Sequence, residues 1–196
     1  MSKVDNNKKK KELAIYKAAF TLFTDCGIES TSISKITKTA GVAKGTFYLY
    51  FKSKYDLLDK LIIKKSNKII FNAYENTLKN SYDNYEDRVI SFINDIINLL
   101  IDQPILLKIL HKKLSWGLFN EAIENKELSQ IINKLIDDLY GNTVKDKLSK
   151  DDFYYTLFMI LELTSSVCYN AIIKEKPTTI ENMKPLLFNM IRKVLN

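Results

Sequence analysis

Apolar side chains in the first third of the chain recur three and four positions apart, in short runs that are stopped abruptly. Leu13, Ile15, Ala18, Ala19, Leu22, Phe23 and Cys26 line one side of a helix that Gly27 ends. A second short helix is predicted from Ile33, Ile36 and Ala40, with Ser30 or Thr31 as its N-cap and Gly41 as its stop. Val42 and Ala43 then bridge to a third helix over residues 44–50. Ser53-Lys54-Tyr55-Asp56 fits the S-x-x-D start of a longer helix, which Leu57, Leu58, Leu61 and Ile62 carry on towards Lys79.

Further helical segments are expected near 84–102, 104–113 and 115–140, with breaks at Pro104, around Lys112–Ser115 and at Gly141-Asn142. Residues 152–174 are apolar almost all round, the pattern of a helix buried on more than one side. After Lys176-Pro177, Thr178-x-x-Glu181 offers a capping box for a last helix bearing Leu186, Leu187, Met190, Ile191, Val194 and Leu195. Pro185 either opens that helix or kinks one that starts at Ile180. No strand-period alternation, internal repeat or flexible linker interrupts the series, and 5 glycines and 3 prolines in 196 residues suit an all-α fold. The one plausible module boundary follows Ser53, giving domains 1–53 and 54–196.

Charge sharpens this division. The net charge is +7, and residues 1–60 hold 12 lysines against 6 acidic residues, which leaves the remainder at +1. A basic first module facing a polyanion explains the asymmetry, and so does a solvated lysine-rich face. Cys26 and Cys168 sit in apolar surroundings without metal-ligand spacing and are expected to be buried free thiols. The start of the chain lacks a signal-peptide apolar stretch, and no uninterrupted apolar run reaches spanning length, so a cytoplasmic protein without a membrane partner is expected. No nucleophile–histidine–acid set, glycine-rich phosphate loop or convergent carboxylate pair occurs. The expectation is a non-enzyme with no metal and no cofactor.

The second and third helices, joined at Gly41, describe a helix-turn-helix unit. Phe47 and Phe51, one helical turn apart, point inward and fix the third helix from behind. Lys44, Gly45, Thr46 and Tyr48 are left around its leading end. Such residue types suit DNA: lysine and threonine reach base edges or phosphates, glycine admits close approach, and tyrosine hydroxyls donate to phosphates. Tyr50, Lys52 and Lys54 extend the set. The competing reading is a helical hairpin whose tyrosines only pack and whose lysines are only solvated.

The stretch "TSISKITKTAGVAKGTFYLYFKSKYDLL", residues 31 to 58, closely resembles the DNA-binding signature of the TetR family of bacterial transcriptional regulators. The resemblance covers roughly the first third, and beyond it only helix count and order agree. It implies a three-helix helix-turn-helix head followed by a helical ligand-binding and dimerisation domain. It also implies DNA-contact roles for Ser32, Ser34, Lys44, Gly45, Thr46, Tyr48, Tyr50 and Lys54. Neither arginine nor glutamine lies on the two head helices for bidentate base reading, so discrimination leans on Lys44, Thr46 and DNA shape.

By the same resemblance the last two helices pair with those of a second copy. One stripe is Phe153, Leu157, Ile160, Thr164, Val167 and Ala171, and the other is Leu187, Met190, Ile191 and Val194. An intramolecular core stripe is the alternative for each residue. The middle helices are expected to enclose a ligand cavity, with Phe71, Tyr74, Phe92, Trp116 and Phe119 as candidate lining. Glu162, a carboxylate in an otherwise apolar helix, and His111, the sole histidine, join that set, against a salt-bridge and a helix-end role respectively. The function implied is a homodimeric repressor that binds a palindromic double-stranded DNA operator and is released by a small-molecule effector. A ligand-insensitive or activating regulator, or a helical adaptor that does not bind DNA, remains the alternative.

Overall fold

The computed structural model describes residues 3–110, 133–134, 136–140 and 148–195. Every regular element among them is helical. They fall into two compact units, Met1–Leu61 and Ile62–Asn196, so the division lies inside the long helix, eight residues beyond the boundary expected from the sequence.

The first unit holds α1 (Lys3–Cys26), α2 (Ile33–Ala40), α3 (Lys44–Tyr48) and the start of α4 (Lys54–Thr77). Its core is Ile15, Ala18, Ala19, Phe23, Ile36, Phe47, Phe51, Leu57 and Leu61, all buried. The N-cap of α2 is Ser32, not Ser30 or Thr31: its hydroxyl accepts the Lys35 N–H at 3.2 Å. Thr31 is buried instead, with its hydroxyl 2.8 Å from the Gly27 carbonyl and 3.2 Å from that of Leu22. Gly41 ends α2 at φ 66°, while the Val42 N–H reaches back to the Thr37 carbonyl and the Gly41 N–H to that of Lys38. This is a Schellman closure, and its left-handed position is the one a glycine fills without strain.

Two clasps hold α4 to this unit. Asp56 accepts the Lys52 N–H at 2.7 Å and donates its own N–H to Ser53 Oγ at 3.1 Å, which caps the first turn. Lys54 turns back to the corner after α1, donating to the carbonyls of Ile28 (2.9 Å) and Glu29 (3.2 Å). There it supplies positive charge to the carbonyl end of α1, the favourable sign at a helix C-terminus.

The second unit is built from the rest of α4, α5 (Tyr85–Asp102), α6 (Pro104–Leu110), α7 (Lys150–Cys168) with a π turn at Tyr169–Ile173, and α8 (Ile180–Leu195). A bend of 111° separates α5 from α6 at Gln103, and Pro104 takes the first position of α6, where its missing N–H costs nothing. Side chains join α5 to α8: the Tyr85 hydroxyl donates to the Leu195 carbonyl, Arg192 pairs with Asp87 at 2.5 Å, and Lys184 meets Asn98 at 3.1 Å. The last helix begins at Ile180, one residue later than the Thr178-x-x-Glu181 pattern implies, and the Met183 N–H bonds to the Thr179 carbonyl. Pro185 therefore lies inside it rather than at its start.

The 24-residue stretch Lys150–Ile173 is long and apolar enough to span a bilayer, contrary to the expectation from uninterrupted runs. Phe153, Leu157, Ile160, Leu161 and Cys168 along it are buried within the unit, which is the position of a core helix. Cys168 is enclosed and burial pushes its thiol up to about 12. Cys26, expected to be buried, is exposed at the last position of α1.

Loss of the core contacts of the first unit is expected to open it selectively. Phe47→Ala removes a fully buried ring and costs about 3–5 kcal/mol. Lys54→Met leaves the Ile28 and Glu29 carbonyls without their donor and costs about 2 kcal/mol. Native-state hydrogen exchange should show both losses in the amides of α1 to α3 while the α5 and α8 amides keep their protection.

Candidate nucleic-acid interface

A five-residue helix does not hold itself, since one turn fixes many dihedrals for a single hydrogen bond. The structure supplies what α3 lacks. Phe47 and Phe51 are buried with ring centroids 5.5 Å apart, and Phe51 meets Tyr16 of α1 edge-on at 5.1 Å. Lys60 reaches from α4 to the Tyr50 carbonyl at 3.2 Å and lies 5.4 Å from the Phe51 ring centre. Phe47 anchors α3 itself, and Tyr50 and Phe51 fix the chain just beyond it.

The outer side is open. Lys44 and Gly45 are exposed, Thr46 is half-buried and Tyr48 is 53% exposed. No side chain caps the first turn, because Ala43 at the N-cap has no oxygen to offer. A methyl group added at Gly45 meets nothing within 4 Å, and its backbone angle is one any residue adopts. Internal packing therefore does not require a glycine there. Ser34 is exposed on α2, and so is Ser32, whose hydroxyl is engaged as the cap.

Two expected phosphate contacts are already occupied. The Tyr50 hydroxyl donates its one proton to the Lys8 carbonyl at 3.2 Å. The Lys54 ammonium is turned to Ile28 and Glu29, with the Glu29 carboxylate at 3.7 Å and the side chain 18% exposed. Lys52 is exposed and contributes only its backbone N–H to the cap of α4.

Of the residues expected around a ligand, Phe71, Tyr74, Phe92 and Glu162 are described, and the Phe71 and Tyr74 ring centroids lie 6.4 Å apart. Phe71 is 41% exposed on α4, whereas Phe92 is buried in α5. Tyr74 is buried and its hydroxyl donates to Asp138, and burial followed by that bond pushes it up to about 12. Glu162 is half-buried on α7. His111, Trp116 and Phe119 lie outside the described residues. A polar cleft of about 410 Å3 is lined by Tyr82, Asn84, Arg88 and Asp138 among others, none of them singled out by the sequence.

The expected pairing stripes are mostly covered by the chain itself. Phe153, Leu157, Ile160, Thr164, Ala171, Leu187 and Ile191 are buried within the chain, and Val167 is half-buried. They complete the core of their own unit. Of the named residues only Met190 (41%) and Val194 (49%) are exposed. The exposed large apolar side chains of the two helices are Tyr155, Phe158 and Met159 on α7 and Leu186, Met190 and Val194 on α8.

Comparison with known proteins agrees with the geometry of the head. Residues 15–61 match the family model of bacterial regulatory proteins of the tetR family. The chain is 27% identical over 197 residues to YvdT, an uncharacterised helix-turn-helix transcriptional regulator of Bacillus subtilis, across 92% of this chain and 93% of that one. It is 28% identical over 182 residues to the helix-turn-helix regulator SAUSA300_2515 of Staphylococcus aureus, across 90% and 89%. In fold it is similar to the fatty acid degradation regulator FadR of Bacillus halodurans (TM-score 0.63, 23% identity, 92% and 94% covered). FadR of Bacillus subtilis, solved in complex with stearoyl-CoA, shares the fold at a TM-score of 0.60 and 21% identity over 91% and 96%. Residues 15–61 thus carry the helix-turn-helix head of the tetR family of bacterial regulatory proteins, and the chain is similar along nearly its whole length to helix-turn-helix transcriptional regulators.

Proposed function

We propose that this regulator is an effector-released repressor that binds a palindromic operator as a homodimer through the leading end of α3. The observation that carries the DNA surface is Gly45. It is exposed, has a backbone that any residue adopts and leaves open space where a side chain would stand. A glycine that the protein's own packing does not demand is explained by close approach of something outside, and a nucleic-acid backbone is what Lys44, Thr46 and Tyr48 beside it would bind. Ser34 and Lys52 complete the surface.

A single five-residue helix touches few base pairs, and two copies related by a two-fold axis double the readout over half-sites about 34 Å apart. The exposed Tyr155, Phe158, Met159, Leu186, Met190 and Val194 support pairing, since six large apolar side chains on adjacent helices are the raw material of an interface. An effector would act through the second unit. Ser66 and Ser165 are buried there with hydroxyls that have no hydrogen-bond partner among the described residues, an arrangement that a ligand's polar group would relieve. The stearoyl-CoA bound to the similar FadR makes long acyl thioesters the first class to test. Because α4 runs through the division between the two units, an effector preferring one setting of α4 would shift the head's population.

Gly45→Ala separates these roles from folding. It should keep or slightly raise thermal stability, by at most about 1 kcal/mol, while duplex affinity falls at least about tenfold. Affinity unchanged by Gly45→Ala would remove the observation on which the DNA surface rests. Selection of bound duplexes from a random pool should return inverted repeats, and recovery of single unpaired sites would argue against the paired arrangement. Met159→Glu with Leu186→Glu should yield monomers in sedimentation with the far-ultraviolet helical signal intact, whereas Leu157→Ala should lower stability by about 2–5 kcal/mol.

A further inference from the structure

We infer that the lysine-bearing turns of α1 form a second phosphate-binding surface of the head, in which Lys8 and Lys11 hold the DNA backbone flanking the half-site and Tyr50 positions them. The inference rests on the DNA reading above and assigns it residues outside the helix-turn-helix signature.

Lys8, Lys9, Lys10 and Lys11 are all exposed on α1, and among the described residues none forms an ion pair. Lys8 and Lys11 are one helical turn apart, so their like charges repel across that turn. Yet the segment is anchored. The Tyr50 hydroxyl donates to the Lys8 carbonyl, tying the start of α1 to the chain just past α3 across 42 positions of sequence.

This tie shapes a cleft of about 500 Å3 lined by Asn7, Lys8, Lys11, Thr46, Leu49 and Tyr50. Among the described residues no aspartate or glutamate lines it, and two lysines do. Thr46 belongs both to the leading turns of α3 and to the cleft, so a DNA strand engaged at α3 continues past Lys8 and Lys11. Leu49, 79% exposed, offers the apolar contact that a deoxyribose accepts. The chemistry also decides which residue meets the phosphate. Phosphate oxygens only accept, and the single Tyr50 proton is spent on Lys8, whereas each ammonium carries three donors. Tyr50 is therefore a positioning residue and the lysines make the contact.

The test uses the full chain with a fluorescent 30-base-pair duplex of random sequence, titrated between about 50 and 300 mM salt. Each phosphate contact adds about 0.9 to the slope of log affinity against log salt. Lys8→Ala with Lys11→Ala should lower that slope by about 2 and leave the circular dichroism spectrum unchanged. Tyr50→Phe alone should lower it by less, and added to the lysine pair it should cause no further fall. A slope unchanged in the lysine variant overturns the inference, and a further fall on adding Tyr50→Phe returns the contact to Tyr50. If the unsubstituted chain binds no duplex even at the lowest salt, the DNA reading itself falls, an outcome separate from both.

Discussion

The aromatic pair Phe47 and Phe51 is the constraint on which the head depends. α3 has five residues, too few to be stable alone, and its direction in space comes from two rings sunk in a core made by α1, α2 and α4. Because the rings lie on the inner side, the exposed residues Lys44 and Gly45 are left out of the core. Thr46, by contrast, is half-buried, and the Tyr48 ring still meets Phe47 edge-on at 5.4 Å.

The organisation of the chain was largely legible in its sequence because glycine, proline and capping residues mark helix ends through local chemistry. Gly27, Gly41 and Pro104 stand where the helices stop or start, and the Ser53 and Asn84 regions open α4 and α5. Errors there were of one or two positions. Ser32 won the cap of α2 from Thr31 because the Thr31 hydroxyl is drawn to the carbonyls at the end of α1, a contact nine residues distant that no local pattern reveals.

The roles of individual side chains were less legible, for two physical reasons. Periodicity shows which residues share a side of a helix, not what that side faces. α7 is apolar nearly all round, so the stripe from Phe153 to Ala171 and the stripe of Tyr155, Phe158 and Met159 look alike until a structure shows which one the chain covers. Residue type likewise names a donor without naming its acceptor. Lysine and tyrosine suit a phosphate, and they suit a backbone carbonyl equally well, which is where Lys54 and Tyr50 are found.

The clasp at Lys54 has a mechanical consequence. Its ammonium holds the Ile28 and Glu29 carbonyls while the neighbouring Tyr55 hydroxyl meets the Glu29 carboxylate at 3.2 Å, so the first turn of α4 is stitched at two points to the corner between α1 and α2. Within the first unit, the start of α4 and the corner that sets the position of α2 are thereby joined through side chains rather than through the connecting chain alone.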